Sequence, residues 1–316
     1  MMSEDLIKDL QNPNWEKRFF ALKQAGKSGD KSLLPTVIAL LNDGKAKVRR
    51  MAAWAAGELG DGSISETLIV AMADPDDWVR VTIVESLGKI GDQRMSLIIS
   101  QFLENEEDEK VRATLLKVLG TLGDKKMIPI VSQYLNDKDN RVIANAIEAL
   151  GRLCPGEATV PDSILDFIKH NDNRIKANTA KALWDMGQED EAFTILLEML
   201  RSKNITMIAS AAYMLGEIRS KRALLPLIET LTNDTWIVRK NVLMALKKQV
   251  NFEMDLIIKA TDHPDPRIRT GAVWVLGHEA QNPKARKALL YALQDDDGEV
   301  RSKAEEALDK FSDWKN

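Results

Sequence analysis

The chain has 316 residues, 44% hydrophobic but only 5% aromatic, with 44 Lys+Arg against 48 Asp+Glu and a single cysteine. So much apolar content argues against disorder, and at ~100–200 residues per domain the length alone suggests two globular domains. A net charge of -4 argues against a dedicated nucleic-acid binder, and one cysteine, Cys154, excludes an intramolecular disulfide framework and any multi-cysteine zinc site.

Taken in chain order, the N-terminal segment MMSEDLIKDL is acidic and lacks a signal-peptide apolar run. The longest apolar stretches, such as residues 33–41 with Pro35 inside, fall far short of the ~18 residues of a membrane span. The expectation is a cytoplasmic protein without a membrane association. A phrase of the form D-x-x-V-R-x-x-A-x-x-A-L-G-x-I-G-D then recurs along the chain. Its Val-Arg step stands at Val48-Arg49, Val79-Arg80, Val111-Arg112, Val238-Arg239, Ile268-Arg269 and Val300-Arg301. Degenerate copies at Lys17-Arg18, Val142-Ile143, Ile175-Lys176 and Met207-Ile208 fill the gaps, so that successive copies lie 30 to 33 residues apart. Ten copies at that regularity replace two globular domains by one repeat array.

Each copy predicts a pair of helices. An apolar segment precedes the Val-Arg step, and four residues before the arginine column comes Asn14, Asp76, Asp108, Asp139, Asp172, Asn204, Thr235, Asp265 or Asp297. Such side chains accept hydrogen bonds from the orphan amides of a helix's first turn; only Lys45 breaks the column. The second helix should run about fourteen residues and end at a glycine-rich close (Leu59-Gly60-Asp61, Ile90-Gly91-Asp92, Leu122-Gly123-Asp124), with glycine supplying a left-handed exit. No window alternates as a half-buried strand would, so the fold class is all-α. The polar helix at residues 3–10 and the last helix, with Lys303, Glu305, Glu306, Asp309 and Lys310, suit terminal caps whose outer faces meet water. At 153–161 the usual close becomes Leu153-Cys154-Pro155-Gly156 with Pro161 following, which predicts either a longer loop or a bend.

These residues resemble the HEAT repeats, in the short variety of about 31 residues found in phycobilin-lyase-type proteins. The resemblance runs from residue 3 to about 312 and rests on the V-R-x-x-A-x-x-A-L-G phrase. The tetratricopeptide and ankyrin signatures are absent. It implies a right-handed α-α superhelix of about ten helix pairs, one solenoid over 1–316, with the Val-Arg helices lining the concave face. It also implies a ladder of Asp and Arg between neighbouring repeats. That ladder is intact in sequence for Asp43/Arg49 and Asp74/Arg80 and fails at Ile143 and Ile208.

On the concave face the fifth position after the arginine column reads Lys23, Trp54, Glu85, Lys117, Glu148, Lys181, Tyr213, Met244, Trp274 and Glu306. The ninth, one turn further on, reads Lys27, Glu58, Lys89, Thr121, Arg152, Asp185, Glu217, Lys248, His278 and Lys310. Tyr213, Met244 and Trp274 would form an apolar strip in three consecutive repeats, with Trp54, Met51 and Phe20 a smaller patch near the N-terminus. Exposed aromatic and Met side chains in a groove are common anchors of protein interfaces. The alternative is that Trp54 and Trp274 lie flat in the seams between repeats. The two columns hold eight basic and six acidic residues, too balanced to track phosphates. The expected partner is therefore a protein or peptide rather than nucleic acid, bound without chemistry by a chain most simply monomeric. The resemblance also implies an alternative, chromophore handling like that of the phycobilin lyases.

Other patterns carry less. The run 21–28 satisfies a relaxed phosphate-loop expression, but its first half falls in a repeat helix, where no loop can wrap a phosphate. His278-Glu279 is a single His-Glu pair, whereas the related deoxyhypusine hydroxylases hold two irons with several. His170 and His263 fall in inter-helix turns at the ladder aspartate column. Cys154 has no nearby histidine to act as base. No catalytic residue, metal ligand or cofactor is expected.

Overall fold

In the computed structural model residues 2–156, 162–250 and 253–310 are described. Every regular element among them is helical, and the chain is an all-α solenoid of helix pairs. The second helices of repeats 1 to 10 are Trp15–Ser28, Ala46–Leu59, Asp77–Ile90, Glu109–Leu122, Asn140–Leu153, Asn173–Asp185, Ile205–Ile218, Trp236–Gln249, Pro266–Leu276 and Gly298–Asp309. Seven of these have the expected fourteen residues. The first helices are shorter and several are broken. In repeat 2 a 3-10 turn Lys31–Leu33 leads into Leu34–Ala39, with Pro35 in the first turn, and a second 3-10 turn follows. Proline is tolerated there because the first-turn amides have no intrahelical acceptor.

Side-chain caps begin the second helices at Asn14, Asp76, Asp108, Asp139, Asp172, Asn204, Asp265 and Asp297, and are absent at Lys45 and at Thr235, where a cap was expected. Gly91 and Gly123 leave their helices with φ of 73° and 74°, as the left-handed exit requires. Gly60 does not: its φ is -82°, and a Cβ there would lie 2.3 Å from Ile64 Cδ1. Clearance, not handedness, selects glycine at that position.

Within each repeat the Val, Ala, Ile and Leu columns are sealed from water. Val48, Ala52, Ala53, Ala55 and Ala56 are completely buried, as are Ile83, Val84, Leu115, Leu116 and Leu119 in the following repeats. Each fully buried Val, Leu or Ile stabilises by ~1.5–3 kcal/mol, so a stack with nearest-neighbour contacts needs few aromatics. A second glycine column, eight residues after the arginine, lets adjacent second helices approach: a Cβ on Gly120 would lie 2.6 Å from Ala149 Cα. Buried polar links join the same helices, with Ser86 Oγ donating to Ala53 O (2.9 Å) and Gln249 Nε2 to Leu215 O (3.0 Å).

The Asp-Arg ladder exists, with its carboxylate rung one turn further on than the pairs Asp43/Arg49 and Asp74/Arg80. Arg49 donates through Nη1 to the backbone carbonyl of Asp43 (2.9 Å), while Nε and Nη2 fork onto the Asp74 carboxylate of the next turn (2.6 and 2.9 Å). Arg18–Asp43, Arg80–Glu106, Arg112–Asp137 and Arg269–Asp295 repeat that fork. Each acid also accepts the amide two residues on, so one carboxylate fixes its own turn and receives the previous repeat. At 170 and 263 a histidine Nδ1 takes over the amide, from Asp172 and Asp265, both at 3.0 Å.

Residues fall into two compact units, Met1–Phe167 with Asp185–Gly187, and Ile168–Trp184 with Gln188–Asn316. Of the irregularity expected at 153–161, residues 157–161 lie outside the described residues. In the part described, buried Cys154 donates its amide to Leu150 O at 3.0 Å. Gly156, left-handed at φ 66°, donates its own to Asp185 O at 2.9 Å.

Candidate functional site

The second helices present the fifth- and ninth-position columns unevenly. Tyr213 and Met244, in consecutive repeats of the second unit, are 54% and 44% exposed, and Glu85, Lys117 and His278 are also exposed. Met51, Trp54, Glu148, Lys181 and Trp274 are half-buried. Trp54 lies against repeat 1, where a Cβ on Gly26 would come within 2.6 Å of its ring. It therefore fills the seam between repeats 1 and 2, the second of the two arrangements expected for it. The exposed aromatic of that end is Phe20, packed edge-on to Phe19 with centroids 5.5 Å apart.

The ninth-position charges hold one another. Lys89 pairs with Glu58 of the preceding repeat, Lys248 with Glu217, and Arg152 donates to Thr121 (2.9 Å) and to Glu148 (2.7 Å). Lys248 also lies 4.6 Å from the centroid of the Tyr213 ring, tying the strip residue of repeat 7 to repeat 8 by a cation–π contact. The charges beside Tyr213 and Met244 are thus paired with each other across repeats 7 and 8.

Trp274 stands on the border of two environments. Its ring is 4.3 Å from that of His278, whose Nδ1 lies 3.0 Å from Trp274 O, and it also lines a cavity of about 340 Å³. Leu231, Leu243 and Gly271 supply the apolar lining and Trp236 a second aromatic wall. Trp236, 61% exposed, was missed in the sequence, as was Trp78 at 47%. Both sit in the first turn of a second helix, outside the two columns, beside cations. Arg50 and Lys110 each lie 5.3 Å from the Trp78 ring, and Arg239 lies 5.9 Å from Trp236. The signal available was a tryptophan within two residues of the N-cap position, Asp76 or Thr235.

Residues 21–28 lie wholly in helix, so the phosphate-loop pattern folds as repeat 1. Among the described residues no cluster of three or more His, Cys, Asp or Glu is placed to hold a metal ion, and none of the helices is long and apolar enough to cross a membrane.

The model of the HEAT repeats matches residues 3–65, 41–99, 96–183, 161–247 and 254–315. The chain belongs to the HEAT-repeat family. No curated protein matches it in sequence. Among solved structures it is similar to the complex of CpcE and CpcF of phycocyanin lyase from Nostoc sp. PCC7120, at 21% identity and a TM-score of 0.51, over 84% of this chain and 90% of that one. An engineered protein is 17% identical over 97% and 98% of the two chains, with a TM-score of 0.41. Human deoxyhypusine hydroxylase in complex with glycerol is 19% identical over 91% and 99%, with a TM-score of 0.38. At these identities the likeness is one of fold, and function must be argued from the HEAT-repeat surface itself.

Proposed function

We propose that this HEAT-repeat chain is a non-catalytic scaffold that holds a protein or peptide segment along the exposed face of its second helices. The observation that carries the reading is the pair Tyr213 and Met244, exposed in adjacent repeats where the neighbouring charges are already paired. A water-facing aromatic and a Met side by side cost solvation that a partner's apolar side chains would recover. The HEAT-repeat structure of similar fold comes from a complex of two proteins, which agrees with a partner-binding role. The test is the double variant Tyr213→Ala/Met244→Ala. Both side chains are exposed, so helical circular dichroism should match the wild type while capture of the partner is lost; undiminished capture would refute the reading. Chromophore handling is the second reading, favoured by the tryptophan-walled cavity at Trp274. A shift in the visible spectrum of a bilin on mixing with micromolar protein supports it, and an unchanged spectrum removes it.

A further inference from the structure

The ladder loses its two partners together in most places where it is broken. Ile143 replaces an arginine, and the acid position of the next turn is His170. At repeat 6 Lys176 keeps the charge but not the guanidinium fork and is followed by Ser202, and at repeat 7 Ile208 is followed by Asn233. Repeat 8 departs from this rule. Arg239 is retained, while the acid position of the turn after it is His263.

The consequence for Arg239 is specific. Its Nη1 still donates to the carbonyls of Asn233 (2.7 Å) and Asp234 (2.9 Å), the hold on its own turn that the other ladder arginines make. Its Nε and Nη2, which fork onto a carboxylate in Arg18, Arg49, Arg80, Arg112 and Arg269, meet none. His263 offers no substitute. Its Nδ1 accepts the Asp265 amide at 3.0 Å, so a neutral ring carries its proton on Nε2 and presents arginine with no lone pair.

This half-used guanidinium lies in the wall of the cavity between Trp236 and Trp274. The other cations there are already engaged: Arg267 with Asp234 (3.0 Å) and Asp265 (2.8 Å), and Lys303 with Glu306. The charges left without an ion pair are Arg239 and, on the last second helix, Glu299. Such a cavity asks for a carboxylate at Arg239, carbon skeleton against Leu231, Leu243 and the two tryptophans, and a hydrogen-bond donor toward Glu299. A planar fork with two free N–H groups matches a carboxylate better than it matches a single carbonyl oxygen.

We propose that the Arg239 cavity is an anchor site for an acidic side chain of the bound peptide, an Asp or Glu flanked by an apolar residue. The proposal rests on the scaffold reading and names one contact within it. The probes are acetyl-Phe-Glu-amide and its neutral counterpart acetyl-Phe-Gln-amide, titrated into the full chain while the indole N–H signals of Trp236 and Trp274 and the Nε–H signal of Arg239 are followed by NMR. The Glu peptide should bind about tenfold more tightly, and the preference should shrink as salt rises from 50 to 500 mM. Arg239→Gln should abolish the preference with the helical content intact. His263→Asp should abolish it too, because it supplies the missing rung and engages the Arg239 fork internally, while raising the urea midpoint. Equal affinity for the two peptides in the wild type, absence of shifts with either, or a preference that survives Arg239→Gln or His263→Asp would overturn the proposal. Partner capture lost in Tyr213→Ala/Met244→Ala but retained in Arg239→Gln would remove this anchor alone and leave the scaffold reading standing.

Discussion

Replacing Arg49 by methionine keeps a long unbranched side chain and removes five N–H donors. Three bonds vanish: two to the Asp74 carboxylate at 2.6 and 2.9 Å, and one to Asp43 O at 2.9 Å. The side chains of the pair are 15% and 7% exposed, so the carboxylate left behind is largely shielded and keeps the Asp76 amide as its hydrogen-bond partner. Stranding a fully buried charge costs ~3–5 kcal/mol, and exposed pairs are worth ~0–1. Arg49→Met should therefore destabilise the junction between repeats 2 and 3 by about 3 kcal/mol. Adding Asp74→Asn to that variant should cost little more, because the amide oxygen still accepts from Asp76 and the stranded charge is gone; the coupling in the double-mutant cycle should be about 2 kcal/mol. Repeat arrays open in segments, so amide exchange across residues 43–90, read by mass spectrometry alongside a urea melt, is the suitable assay. A loss below about 1 kcal/mol, or strictly additive losses, would show that the fork does not join the repeats.

Two further outcomes follow from the same contacts. The Asp295 carboxyl is held below its ordinary 3.8 by the Arg269 fork against the opposing effect of burial, and Asp43 is lowered too, the bonds from Arg18 and the Lys45 amide outweighing its desolvation. A group depressed in the folded state takes up a proton on unfolding, so its stabilisation is complete above about pH 4 and is lost as pH falls through the folded value. Asp295→Asn should lower stability at pH 6 but flatten the decline between pH 4 and 2, and an unchanged acid limb in urea melts would count against the assignment. Gly120→Ala should destabilise despite a helix-propensity gain of about 1 kcal/mol, because its Cβ would meet the Ala149 backbone at 2.6 Å and overpacking costs ~1–3 kcal/mol. A higher urea midpoint in that variant would contradict the close helix approach.

The architecture was legible because it is periodic: caps, arginine step and buried alanines recur in the same order, and local chemistry settles each of them. Asp76, Asp108 and Asp139 could be read as caps from their spacing alone, since a cap acts on its own first turn. Errors appeared where a residue answers to a different repeat. The rung joining Arg49 to Asp74 spans 25 residues, and the sequence presents Asp43 as a nearer candidate for the same arginine. Gly60 looked equivalent to Gly91 and Gly123 but is chosen for its distance from Ile64. Trp54 occupies the same column as Tyr213, yet one fills a seam over Gly26 and the other meets water, a difference set by the neighbouring helix.

The ladder also explains why the candidate site belongs to the later repeats. In repeats 1 to 4 each arginine is committed in both directions, to its own turn through Nη1 and to the next acid through Nε and Nη2. The fork itself, Nε with one N–H of Nη2, is then occupied and is not open to a ligand's carboxylate. From Ile143 onward the arginine or its acid is missing until Arg269 meets Asp295, and within the second unit repeats 6 and 7 share the isolated link Asn173–Ser210 (2.6 Å). Where the arginine is lost with its acid, at Ile143, Lys176 and Ile208, no guanidinium fork is left open, although Lys176 keeps a positive charge. Removal of only the acid is different in kind, because it leaves a polar fork directed at whatever fills the space. Repeat 8 is where that occurs. The Trp236–Trp274 cavity brings that unmatched charge together with apolar surface from Leu231, Leu243 and two tryptophans.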